Sequence, residues 1–75
     1  MVPLSQMQEG SKAKVDKIIG GRGVNLRMHE MGFHPGAIGK IIRNVKKGPL
    51  IIEINGNKIA IGRGVAQKVI VEPLN

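Results

Sequence analysis

The stretch LIIEINGNKIAI, residues 50–61, carries the reading of the fold. Leu50, Ile52 and Ile54 recur at every second position, the spacing of a strand with one face against a core. Asn55-Gly56 follows, and these residue types reach φ > 0 at both central positions of a type I′ turn, whose twist matches the strands it joins. The chain therefore doubles back, with Ile59 and Ile61 returning antiparallel to Ile52 and Ile54.

Working outward, Lys46-Lys47-Gly48-Pro49 is a loop, and before it Ala37 to Val45 carries Ile38, Ile41, Ile42 and Val45, apolar on both parities. Such a strand is curved, bulged or buried on two faces, and Gly39 permits a bend. On the other side, Gly62-Arg63-Gly64 breaks the strand, Val65 to Lys68 has room for one helical or 3₁₀ turn, and Val69 to Glu72 is a last strand stopped by Pro73. Near the start, Ala13 and Val15 alternate with Lys12, Lys14 and Asp16, which predicts a half-buried strand over about Ser11 to Ile19, ending at Gly20-Gly21.

Between Gly23 and Gly32 the period changes. Val24, Met28 and Met31 fall at i, i+4 and i+7 with Leu26 off the stripe, which predicts one short helix. Gly32 stands where a left-handed residue ends a helix, and Phe33 after it is placed for the apolar contact that accompanies such a stop. Pro35-Gly36 then turns the chain.

The order is strand, helix, strand, hairpin pair, one-turn helix, strand. About five short antiparallel strands in so short a chain bury a core by wrapping into a small barrel. The fold class expected is therefore mainly β, and the one-turn helix before the last strand points to the SH3-like barrel. An OB-fold, the competing small barrel, uses longer strands.

The 75 residues predict a single domain, 1–75, too small for a large catalytic cleft. The core has to be aliphatic, because the chain holds 11 Ile, 7 Val and 4 Leu but 1 Phe, 0 Trp, 0 Tyr and 0 Cys. Disulfides and thiolate metal sites are excluded, and the absence of cysteine fits a reducing compartment. Residues 1–10 lack the charged and apolar regions of a signal peptide, and no apolar run approaches the ~18 residues of a membrane span, so a soluble protein without direct membrane insertion is expected.

Candidate chemistry is sparse. His29, Glu30 and His34 form the one close group of metal-ligand types, short of the four ligands of a structural site and equally readable as a solvated helix end. Ser5 and Ser11 sit in no nucleophile motif. Gly20-Gly21-Arg22-Gly23 precedes the helix but lacks the Lys-Ser/Thr of a P-loop and reads as a flexible turn. No cofactor and no catalysis are expected.

The charge is informative. Twelve Lys+Arg against five Asp+Glu give +7, with no acid between Glu30 and Glu53. The partner should be anionic or carry an acidic patch. Single-stranded nucleic acid is the alternative partner, but its binders stack bases on aromatic rings, and Phe33 is the only one here. Protein docking remains, with Arg27, Met28, Met31 and Phe33 as anchor and Lys46 and Lys47 steering the approach. The plainer reading of the methionines is packing of the helix on the barrel.

Val2-Pro3-Leu4-Ser5-Gln6-Met7, the run from Arg27 to Gly36 (RMHEMGFHPG) and the closing Val69-Ile70-Val71-Glu72 together resemble the FeoA family of ferrous-iron transport proteins. The segment corresponds to that family's Arg-x-x-x-Leu-Gly-Leu-x-Pro-Gly motif, with Met31 and Phe33 in place of leucines; Gly39 departs from the apolar strand residue usual in the family. The resemblance implies an SH3-like barrel of the bacterial cytoplasm, accessory to the FeoB-type ferrous-iron permease, with a regulatory or scaffolding role; weak association between copies of the chain is a separate expectation. It also implies kinship with a domain of iron-dependent repressors, so the barrel alone does not name the partner.

Overall fold

The structure is a computed structural model and describes residues 1–74. Its elements are β1 (Val2–Pro3), a 3₁₀ turn (Leu4–Gln6), β2 (Lys12–Ile18), α1 (Arg22–Glu30), β3 (Ile38–Arg43), β4 (Leu50–Ile54), β5 (Asn57–Ile61), α2 (Arg63–Ala66) and β6 (Val69–Pro73). All six strands join one antiparallel sheet in the order β1-β6-β2-β3-β4-β5.

The hairpin forms as its sequence predicts. Asn55 and Gly56 have φ of 55° and 80°, the positive values a type I′ turn requires. Ile52 pairs with Ile59, Leu50 with Ile61, and Ile54 with Asn57. Leu50, Ile52 and Ile54 point inward, all at most 1% exposed.

From β2 to β6, the inward residues belong to one cluster, against which Val2 of β1 packs: Ala13, Val15 and Ile18 of β2, Ile41 of β3, the β4 trio, Ile61 of β5, and Val69 and Val71 of β6. Leu4, Met7, Met28, Phe33 and Ala66 close it. A single sheet whose strands all reach one core is curled on itself, and the Cα radius of gyration of 10.8 Å reflects that wrapping.

Three details differ from the sequence reading. A sixth strand, the two-residue β1, joins the five expected, because Val2 and Pro3 pair with Val71 and Ile70. Proline there is tolerated because β1 is an edge strand. The one-turn helix covers Arg63–Ala66 rather than Val65 to Lys68. β3 is bulged, as one reading allowed, but the register shifts between Ile41 and Arg43, so the extra residue is Ile42 and not Gly39.

Gly39 answers to space. It pairs with Ala13 and Ile54, and a Cβ at Gly39 would stand 2.8 Å from both Ile52 Cδ1 and Ile54 Cγ1. The isoleucines of β4 occupy the volume that the glycine leaves. Ile38, Ile42 and Val45 lie at the surface, so β3 is not buried on two faces.

Candidate functional site

α1 begins without a side-chain cap on its N-cap residue, Gly21. The Asn25 amide ties the entry instead, donating to the Gly20 and Gly21 carbonyls at 3.2 and 3.1 Å. The other end stops in a Schellman arrangement: Phe33 N–H donates to the Met28 carbonyl at 2.8 Å and Gly32 N–H to the His29 carbonyl at 3.0 Å, with Gly32 at φ 96°. The Pro35-Gly36 turn closes through Ala37 N–H on the His34 carbonyl at 3.0 Å. The segment from Arg27 to Gly36 is thus a stop-and-turn device fixed by backbone chemistry.

That geometry divides the expected docking residues. Phe33 is 0% exposed and Met28 4%, so both are core residues on which α1 sits, and neither offers a partner an apolar anchor. The i, i+4, i+7 stripe faces the core and buries Met28, and the stop after it turns Phe33 inward, while Leu26, off the stripe, is 65% exposed. Met31 is half-buried and Arg27 exposed. Between α1 and α2, Gly23, Val24, Arg27, Met28 and Val65 line a shallow hollow of ≈ 330 Å³. Lys46 and Lys47 stand exposed in the β3–β4 loop.

The metal candidates do not assemble. His29, Glu30 and His34 are all exposed, and no group of three or more His, Asp or Glu among the described residues is placed to hold an ion. The Schellman stop carries the chain inward at Phe33, and His34 Nδ1 lies against its neighbour's carbonyl, Pro35 O, at 3.3 Å. Phe33, the chain's single Phe, Tyr or Trp, is enclosed, so the rings left for stacking on a base are the exposed imidazoles of His29 and His34.

One cluster has no counterpart in the sequence reading. Arg63 donates to Asn44 Oδ1 from Nη1 and Nη2 at 2.8 and 2.7 Å, and from Nη1 to the Val45 carbonyl at 2.8 Å. Asn44 Nδ2 in turn donates to the carbonyls of Ser5 and Met7, at 3.0 and 2.6 Å, and the Asn44 N–H to the Glu9 carboxylate at 2.8 Å. The network joins α2, the exit of β3 and the N-terminal segment. Its bonded partners are 18 to 39 residues apart along the chain, and no local pattern announces them.

A six-stranded antiparallel sheet curled over an aliphatic core, with one turn of helix before its last strand, defines a small SH3-like barrel. Residues 2–73 match the FeoA domain, and the chain belongs to the FeoA family. It is 46% identical over 72 residues, 96% of this chain and 87% of the other, to a protein of Methanocaldococcus jannaschii provisionally named Fe(2+) transport protein A. A crystal structure of an iron uptake regulatory protein, FeoA, superposes with a TM-score of 0.92 at 40% identity over 97% of each chain. The zinc complex of Stenotrophomonas maltophilia FeoA, described as a prokaryotic SH3 domain protein, shares the fold with a TM-score of 0.82 at 21% identity, over 96% of this chain and 91% of that one. No helix among the described residues is long and apolar enough to cross a membrane.

Proposed function

We propose that this chain is a non-enzymatic, cytoplasmic accessory of ferrous-iron transport that docks by protein–protein contact on a FeoB-type permease, on its G-protein domain or another cytosolic region. The observation that carries the reading is the family match over residues 2–73, joined to 46% identity with a protein named for Fe(2+) transport. The surface is consistent with docking, since the charged side chains lie outside the core and the balance is +7. A basic surface accelerates encounter with an acidic partner and orients it.

The contact falls on the α1 side of the barrel. Arg27 and Met31 meet the partner directly, Val24 and Val65 offer the apolar hollow, and Met28 and Phe33 stiffen that surface from beneath. Lys46 and Lys47 act on the approach.

The test is a titration against the purified cytosolic G-protein domain of the cognate permease, at low and physiological salt, with single-stranded RNA as a parallel ligand. Saturable binding to the domain, weakened by Arg27→Glu, is expected. Saturable RNA binding with none to the permease domain would move the protein to the nucleic-acid class.

A further inference from the structure

Three of the large apolar side chains left at the surface come from one short stretch: Ile38, Ile42 and Val45 are 54%, 36% and 38% exposed. Exposed Lys40, Arg43, Lys46 and Lys47 interleave with them. The register of the sheet widens this patch, because β2 lies beside β3 with Lys12 opposite Lys40 and Lys14 opposite Ile38. Two lysines directly across a strand pair repel one another, and an anion laid over them relieves that repulsion. Past the end of β3, Arg43, Val45, Lys47, Pro49 and Ile51 contribute to a shallow hollow of ≈ 350 Å³, two cations around an apolar floor. The acids on or beside it are Asp16, exposed on β2, Glu53 across from Lys40, Glu72 across from Lys14, and Glu9, whose carboxylate already accepts the Asn44 N–H. The cations named on this face outnumber them.

We propose that the outer face of β2 and β3, continued by the β3–β4 loop, adsorbs to an anionic lipid surface. The cations meet headgroup phosphates, and Ile38, Ile42 and Val45 enter the headgroup layer. The arrangement decides among anionic occupants. Cations and aliphatic side chains alternate over the outside of the sheet, and the hollow at its end is shallow, so the occupant has to present anionic and apolar matter at the same depth over a broad area. The boundary between headgroups and acyl chains does this. A nucleic acid supplies phosphate but gives the three aliphatic side chains nothing apolar to enter, and its bases meet no ring on this face, because β2, β3 and the β3–β4 loop hold no Phe, Tyr, Trp or His. The inference goes beyond the docking reading, and it is compatible with it: a permease lies in such a bilayer, and adsorption raises the accessory's concentration beside it.

The experiment is co-sedimentation of the full chain with vesicles of mixed phosphatidylglycerol and phosphatidylcholine, against vesicles of phosphatidylcholine alone, at low and physiological salt. Binding to the anionic vesicles only, falling as salt rises, is expected. Lys46→Gln with Lys47→Gln lowers the partition coefficient about 25-fold, at about fivefold per cation removed. Ile42→Ser lowers it with the charge unchanged. Arg22→Gln with Lys68→Gln, cations outside this patch, leaves it within about twofold at physiological salt, where the Debye length is short. Circular dichroism matching the parent protein qualifies each variant. No sedimentation with anionic vesicles at low salt, equal binding to both vesicle types, an unaffected Ile42→Ser, or an equal loss from the Arg22 and Lys68 pair would each overturn the proposal. The vesicles contain no permease, so the result is independent of the docking titration.

Discussion

The guanidinium of Arg63 grips the side-chain carbonyl of Asn44 with both of its terminal nitrogens, at 2.8 and 2.7 Å. Through Asn44 the grip reaches the carbonyls of Ser5 and Met7, so one arginine at the start of α2 fastens the N-terminal segment to the exit of β3. Bonds from a charged donor contribute about 1.5–3 kcal/mol, and an acceptor left unpaired adds its desolvation cost. Arg63→Ala and Asn44→Ala should each destabilise the fold by about 1–3 kcal/mol, with a double-mutant coupling of at least about 0.5 kcal/mol, read from urea unfolding. Additive losses would show that the two side chains act separately.

Gly39 and the β4 isoleucines make a second prediction. A methyl group at Gly39 would sit 2.8 Å from Ile52 Cδ1 and Ile54 Cγ1, which is overpacking. Gly39→Ala should cost about 1–3 kcal/mol. Ile52→Val removes the Cδ1 methyl, so in the Gly39→Ala background it should recover part of the loss, although alone it costs about 0.5–1.5 kcal/mol. Equal costs of Ile52→Val in both backgrounds would mean that the clash is taken up elsewhere.

At Gly32 the reason is conformational. Its φ of 96° is one that L side chains rarely adopt, and a Cβ there meets Ile54 Cγ2 at 3.4 Å. Gly32→Val should destabilise more than Gly32→Asn, because asparagine tolerates the left-handed region and a β-branched residue does not. Thermal unfolding of the two variants side by side checks the order.

Phe33 separates packing from recognition. Fully enclosed, it should lower stability by about 3–5 kcal/mol when cut to alanine, enough to unfold so small a domain. Phe33→Leu should fold, and because the side chain reaches no partner it should bind the permease domain with unchanged affinity. A changed affinity in a folded Phe33→Leu protein would return this residue to the docking surface.

Charge reversal at Lys46 and Lys47 should act on kinetics. Stopped-flow association with the permease domain should slow by about tenfold at low salt and lose most of its salt dependence, while dissociation stays within about twofold. An unchanged association rate would remove these lysines from the approach.

Much of the fold was legible because its signals are local. Asn55-Gly56 between alternating isoleucines specifies a hairpin, the Met28 stripe ending at Gly32 specifies a helix and its stop, and the structure contains both. β1 escaped because two residues have no period and its pairing with β6 depends on the far end of the chain. The both-parity apolar pattern of β3 left bulge and double burial open, and only the register with β4 separates them. The site was less legible for the same reason. An apolar stripe marks a buried face, and pattern alone cannot say whether the sheet or a partner buries it; here the sheet takes Met28 and Phe33. The Arg63 network links residues far apart in the chain, which no window of sequence spans.

The sheet order sets a constraint on how the molecule is made. β6 lies between β1 and β2, so the domain's last strand in chain order is an interior strand of its sheet. Until it arrives, β1 has no neighbour and β2 has an open edge, and residues 2–68 cannot complete the core to which Val69 and Val71 belong. Folding of this domain is therefore governed by long-range pairing, and a chain cut short before Val69 exposes an unpaired strand to other chains.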